Sequence, residues 1–440
     1  MAEASRVRER FLQGLTGLVL VGVVVVQYLI VRTGEDPYRI PKELWVRAEA
    51  IAIAALLILG LLWGWLDRRV FVRERTLFAL AGAVVVWTGV TTILSSYPAM
   101  SVWSLCYVTS LAVIFVATFI AALRRSLLFA DIALVAVVPN AIACMLSEFG
   151  IWNPLMTKKE MLESGEWPHL YAGGFLGNPN DIGMLLVGPA LATLILCALI
   201  PRRRLWYGAL AIPILAGLLT TQSAAAIGAF VVALLVIAFR ASRKAAAVAV
   251  GGVLLIVACV VFFSSAVQRK VASVIQLARS DHVSAYDVDR ALSNRVLPFL
   301  VAGRMGLDHP VFGVGPGRFP WHFYAYKLAF EKRHPTLRQA ATNFLSWAEA
   351  HNDHLQTIAT TGFPGYALYV TAIVMLARRS RRRSVDGDEL QRFASHFALP
   401  FAVTFAVLTL AQFPMELAAP AVMLLYWAAV SMAWTSDATA

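Results

Sequence analysis

The sequence predicts an all-α polytopic membrane protein of about 12 transmembrane helices, with a large, partly helical extracytoplasmic loop between spans 9 and 10. Three observations carry this: the composition, the recurrence of apolar runs near 20 residues long, and the placement of the basic residues. Hydrophobic residues make up 59% of the 440 positions and charged residues 15%, with a mean hydropathy of +0.69. A soluble domain carries about 45–50% apolar and about 25% charged residues. The excess excludes a soluble enzyme, a disordered chain and a nucleic-acid-binding module. The net charge of +12 is not a nucleic-acid footprint either, because the basic residues fall mostly in short segments between apolar runs. That pattern reports orientation among membrane lipids.

The runs lie near 11–31, 46–66, 77–96, 102–122, 127–148, 180–200, 204–220, 222–240, 244–264, 355–377, 393–413 and 416–436, each close to the ~20 residues a helical span needs. The first follows Arg6, Arg8 and Arg10. It is longer than a signal h-region and no A-x-A site follows, so it reads as an uncleaved span. Thr220, Thr221 and Gln222 barely interrupt 204–240, which leaves two spans or one long broken helix. Cys106, Cys144, Cys197 and Cys259 lie inside apolar runs without a C-x-x-C pair, so no disulfide framework or zinc site is expected.

With the N-terminus in the cytoplasm, one side collects Arg68, Arg69, Arg124, Arg125, the run Arg202-Arg203-Arg204, Arg240, Arg243, Arg378, Arg379 and Arg381. The opposite short loops hold only Arg32, Arg39, Lys42, Lys158 and Lys159. This asymmetry puts both termini inside and requires an even number of spans. Residues 1–264 then carry spans 1–9, with a short outer loop at 149–179. Residues 265–354 form the large outer loop with the site residues, and 355–440 carry spans 10–12 and a cytoplasmic C-terminus. ATP and nucleotide sugars are absent outside the cytoplasm, so chemistry there needs a substrate already activated in the membrane. Within the large loop, Val267, Val271, Val274, Ile275 and Ala278 have the spacing of an amphipathic surface helix. The stretch Trp321 to Trp347 is also amphipathic, broken at Pro335.

The densest polar cluster ends that loop: Glu349, His351, Asn352, Asp353, His354 and Gln356, followed by Gly362-Phe363-Pro364-Gly365. A neutral histidine at the mouth of a span can take a proton from a hydroxyl near pH 7. The competing reading is a helix cap, with Asn352 or Asp353 satisfying free N–H groups. His351 and His354, at i, i+3 with Asp353, could also ligate a metal on one helical face, but no second ligand cluster has matching spacing, and no metal is expected.

A second feature runs Ser293-Asn294-Arg295, Arg304, Asp308-His309-Pro310, then Gly313-Val314-Gly315-Pro316-Gly317-Arg318-Phe319. Arginines around a glycine-rich turn can hold phosphate oxygens. The alternative is a surface turn whose arginines face lipid headgroups. The third feature, Gly173-Gly174-Phe175-Leu176-Gly177-Asn178-Pro179-Asn180-Asp181, is a turn that opens the next helix. Glu416 begins the last span, and a carboxylate there should line a cavity or sit near the interface.

Three segments, FLGNPND at 175–181, SNRVLPFLVAGRMGLDHPVFGVGPGRF at 293–319 and AHNDHLQTIATTGFPGYALY at 350–369, resemble the O-antigen ligase / O-antigen polymerase superfamily of bacterial membrane glycosyltransferases. The resemblance spans roughly 170–436; the first five spans match only in hydropathy. It implies transfer of a glycan from a polyprenyl (undecaprenyl) diphosphate carrier to an acceptor hydroxyl on the outer face of the inner membrane. It implies His351 as the catalytic histidine and Arg295 as an arginine on the donor diphosphate, with no nucleotide, cofactor or required metal. On that footing Asp353, Glu349 and His354 support the imidazole, Arg304 and Arg318 join Arg295 on the diphosphate, and Asn178, Asn180 and Asn352 lie near substrate. The donor's lipid tail would enter between spans while the long loop covers its headgroup. The acceptor would be lipid A-core, a glycan or a protein. There is one departure. Where the family often carries Ser-Arg-Gly, this chain has Gln222-Ser223-Ala224-Ala225-Ala226. Either Arg304 or Arg318 supplies the missing charge, or the donor is held differently, or activity is altered. A polymerase of O-antigen or exopolysaccharide and a protein O-oligosaccharyltransferase remain alternatives. A lipid-linked glycan transporter would place its polar groups at the midplane, not externally as here.

Overall fold

The computed structural model describes residues 2–31, 36–154, 173–244, 295–335, 347–380 and 388–437, with a few positions between 245 and 294. Its regular structure, among the described residues, is helical: α1 (Ala2–Tyr28), α2 (Ile40–Leu62), α3 (Arg68–Arg73), α4 (Arg75–Ile93), α5 (Pro98–Ala122), α6 (Leu128–Glu148), α7 (Pro179–Leu199), α8 (Arg204–Thr220), α9 (Ala224–Ala241), α10 (Val296–Asp308), α11 (Phe319–Arg333), α12 (Asp353–Arg379), α13 (Glu389–Leu408) and α14 (Ala418–Trp434). Eight of these, α1, α2, α4, α5, α6, α7, α9 and α12, are long and apolar enough to cross a membrane, and α14 is a shorter apolar helix. The chain is a polytopic membrane protein.

The stretch 204–240 forms two helices rather than one. It breaks at Thr221–Ser223, where Gln222 has φ +50°, a left-handed conformation no helix continues through. α8 and α13 fill two more of the expected runs. The expected span at 244–264 and the surface helix at 267–279 lie almost entirely outside the described residues, as do Ser293 and Asn294.

The basic segments meet at one end of the bundle. Arg124 faces Glu9, Arg125 faces Asp388 and Arg202 faces Glu389, while Arg73 reaches the carbonyl of Asp437. α7 is the central helix and is buried over most of its length. On α13, Phe393, Phe397 and Phe401 recur at i, i+4 and stack at 5.2 and 4.7 Å, presenting a ridge to Trp427 of α14. Gly188 of α7 lets that ridge approach, since a Cβ there would meet Phe401 at 3.0 Å. Small residues do this work in membrane bundles because lipid and side chain are equally apolar, so close packing must supply the stability.

Among the described helices α12 is broken, and the break seats a second segment against it. Gly362 interrupts α12 with φ +71° and ψ −178°, and Pro364 has no N–H to give. The carbonyls of Ala359 and Thr360 lose their intrahelical donors. They accept instead from Val314 N at 2.8 Å and Gly315 N at 3.1 Å, while Phe363 N donates to Pro310 O at 2.8 Å. Trp87 of α4 donates from Nε1 to Thr361 O at 2.8 Å. A Cβ on Gly362 would strike the Val311 carbonyl, and one on Gly313 the Thr360–Thr361 backbone. The two glycine-rich motifs of the sequence are thus the two halves of one docking joint. Above it, Leu297, Val301 and Met305 of α10 and Phe319 and Phe323 of α11 form a second small core with Ala350 and Ala359, which seats the outer segment on the first turns of α12.

Candidate functional site

The cap and the site divide between neighbouring residues. Asn352 is the N-cap of α12: its Oδ1 accepts from Leu355 N at 2.9 Å and its Nδ2 donates to Leu410 O at 2.8 Å. With that helix end satisfied, His351 is left out of the helix at φ +53°. A non-glycine residue holds this conformation only when its surroundings enforce it. They do so here: Ala350 N donates to Gln356 Oε1 at 2.8 Å, and Asp353 N donates to Thr409 O and Gln412 O. The imidazole stands edge-on between Trp347 (4.7 Å) and Phe413 (4.5 Å). Its Nδ1 is buried without a hydrogen-bond partner among the described residues. Burial, and then the charge of Arg295, push its pKa down to about 4, so the ring is neutral at physiological pH.

Arg295 precedes α10 and donates to Ala411 O at 2.5 Å; burial holds its pKa below the usual value. His351 and Arg295 therefore share the turn that follows α13. His354 points elsewhere. Its Nε2 lies 3.0 Å from Thr409 Oγ1 and 3.2 Å from Ala406 O, and its ring packs against Tyr366 and Tyr369. The two histidines thus do not share a helical face, because the αL residue puts His351 ahead of the helix. Asp353 is 2% exposed and accepts from Met415 N at 3.2 Å. Glu349 pairs with Arg39, a residue the sequence offered only as an outer-loop charge. Arg39 also holds Glu43 at 2.9 Å and the carbonyl of Glu416 at 3.2 Å. Burial works against its charge, but the Glu349 and Glu43 carboxylates outweigh it and raise the pKa.

The other predicted residues separate. Arg304 is exposed and pairs with Asp308 one turn on, at 2.7 Å. Arg318 is 3% exposed. Its guanidinium lies over Tyr97 (4.6 Å) and Trp321 (5.6 Å), Nη1 is 2.8 Å from Met100 Sδ, and Nε has no partner. Asn178 caps α7 by accepting from Asn180 N at 2.8 Å. Asn180 accepts from Gln412 at 3.3 Å, which ties the 175–181 segment to the turn beside His351. At the Ser-Arg-Gly position, Ser223 and Ala226 pack against Gly183, and Gln222 donates to Glu148 Oε1 at 2.9 Å.

A cavity of about 320 Å³ runs from this end between α4, α5, α12, α13 and α14. Its walls are apolar along Leu80, Phe115, Leu376 and Met432, and its end beside the first turn of α12 carries Ser104, Tyr107, Asp353 and Glu416. Burial first, and Glu349 second, raise Glu416 to about 7, with Arg39 opposing.

Residues 208–370 match the family model described as O-Antigen ligase. The matched stretch holds Arg295, Arg304, Arg318, Glu349, His351, Asp353 and His354. No curated protein matches the chain. The match agrees with the resemblance read from the segments at 293–319 and 350–369: over residues 208–370 the chain is similar to the O-antigen ligase family, and the segment at 175–181 lies outside the matched stretch.

Proposed function

We propose that the protein transfers a glycan from a polyprenyl-diphosphate carrier to an acceptor hydroxyl at the outer face of a bacterial inner membrane, without a metal, and with its arginine-rich end and both termini in the cytoplasm. The observation that carries this is His351: a neutral imidazole, its Nδ1 unpartnered, held beside a half-buried arginine at the outer end of the bundle.

The donor's diphosphate is already a leaving group, so the protein must supply alignment, a base and compensation for developing charge. The acceptor oxygen bonds to the anomeric carbon as the carbon–oxygen bond to the diphosphate breaks. The acceptor's proton passes to His351 and the diphosphate leaves on its lipid, inverting the anomeric centre. General-base help of this kind contributes about 100- to 10,000-fold. A diphosphate bound at Arg295 also strengthens the base. It offsets the cation that depresses the imidazole and brings negative charge that favours imidazolium. Glu349, locked to Arg39, holds the backbone two residues before His351. Arg318, a buried cation with no carboxylate partner among the described residues, is the second candidate for the diphosphate; Arg304, already paired with Asp308 in solvent, is the weakest of the three.

The test is transfer from a polyprenyl-diphosphate glycan by the purified protein, with His351→Ala alongside. Loss of transfer in a variant that still inserts and folds supports the reading, and full transfer removes it. Analysis of surface glycans in a deletion strain then sorts the acceptor. Free chains left on the carrier point to a ligase, and single repeat units to a polymerase.

A further inference from the structure

The arginines of the site lie outside the apolar cavity. Its lining includes the carboxylates Asp353 and Glu416 and no lysine, arginine or histidine among the described residues. A diphosphate seated at that end would find no cation in the lining to compensate its charge, and an uncompensated charge in a low-dielectric slot is costly. A second observation is independent of the acids. Tyr107 is 7% exposed, lines the same end, and its hydroxyl has no hydrogen-bond partner among the described residues. A buried hydroxyl without a partner is costly unless a ligand completes it. The cations nearest to it are engaged. Arg39 holds Glu349 and Glu43, and Arg47 stacks on Trp103 at 3.7 Å beside Glu43.

From this we infer that the slot is the acceptor's site and not the donor's, and that it takes an amphiphile whose apolar tail lies along α4, α5 and α12 and whose head is a neutral, hydroxyl-rich sugar seated on Asp353, Glu416 and Tyr107. Sugar hydroxyls donate to carboxylates and accept from a phenol, so such a head satisfies all three. Near its pKa of about 7, Glu416 both donates and accepts. Asp353 is two residues from His351, and Glu416 three from Phe413, against which that imidazole packs. A head held there therefore lies beside the base, with the diphosphate arriving from the side of Arg295. This assignment rests on the transferase reading, but it is tested by binding alone.

The experiment uses the full chain in detergent-free lipid nanodiscs and three dodecyl probes with a diazirine in the tail: a β-glucoside, a diphosphate and an ammonium. Cross-linked peptides are mapped by mass spectrometry. The glucoside should label the α5 and α12 walls at least fivefold more than either charged probe. Leu80→Trp, which fills the slot, should lower that labelling at least fivefold, as should Tyr107→Phe combined with Glu416→Ala. Leu205→Trp, at a position 90% exposed on α8, should leave it unchanged. Equal or stronger labelling by the diphosphate overturns the assignment, and preference for the ammonium overturns the neutral head. If the glucoside labels the slot while His351→Ala keeps full transfer, the base proposal falls and the slot assignment stands.

Discussion

The two ends of α12 treat charge in opposite ways. At the C-terminal end Arg379 and Glu74, both buried, form an ion pair, and Ser436 Oγ adds a hydrogen bond to Glu74 at 2.5 Å. Near the N-terminal end the imidazole of His351, the guanidinium of Arg318 and the hydroxyl of Tyr107 each keep a buried atom with no partner among the described residues. One end is compensated within the protein, as a structural latch requires. The other is left incomplete, and incompleteness at a buried polar group is what a substrate can relieve. Buried charge alone therefore does not distinguish the two ends; what distinguishes them is whether the protein itself supplies the partner.

This contrast can be broken at several points. The largest effect is expected from His351→Ala, a loss of about 100- to 10,000-fold in transfer with an unchanged thermal unfolding midpoint. At the latch the pattern should invert. Glu74→Ala strands Arg379 and should cost about 3–5 kcal/mol of stability. Arg379→Met in the same chain should recover most of that loss, as read by thermal unfolding in nanodiscs. Arg295→Ala should lower kcat/KM by about 3–4 kcal/mol of transition-state stabilisation while leaving expression intact; unchanged kinetics would reduce Arg295 to an anchor for the Ala411 turn. Gly362→Ala forces a side chain into φ +71° and onto the Val311 carbonyl, and should destabilise by about 1–3 kcal/mol, with a parallel fall in activity. The smallest effect is in pH. With the free-enzyme imidazole at about 4, the His351 contribution to kcat/KM stays constant from pH 8 down to 5 and falls only as the pH nears 4. Removing the neighbouring cation favours imidazolium, so Arg295→Ala should move that acid limb upward.

Much of this architecture is legible in one dimension, because a span announces itself by its own length and composition. The apolar runs, the arginine-rich end and the His351 cluster were all readable that way. What the sequence withheld are relations between distant segments. Nothing local to Arg39 reveals that it meets Glu349, 310 residues away. Nothing in the spacing separates Arg304 from Arg318, although one lies in solvent against Asp308 and the other is buried under aromatic rings. The glycine-rich turn at 313–317 looked like a phosphate cradle, yet the N–H groups of Val314 and Gly315 are spent on the carbonyls of the broken helix. The i, i+3 spacing of the two histidines suggested a shared face, and only the left-handed backbone at His351 undoes it.

Trp87 extends the reach of that broken helix. Its indole nitrogen holds Thr361, its ring stacks on Phe312 at 5.7 Å, and its side chain forms part of the cavity wall. Any separation of α4 from α12 would have to break the Trp87–Thr361 hydrogen bond. One indole is thus shared by the wall of the oily interior and the joint that carries residues 310–315.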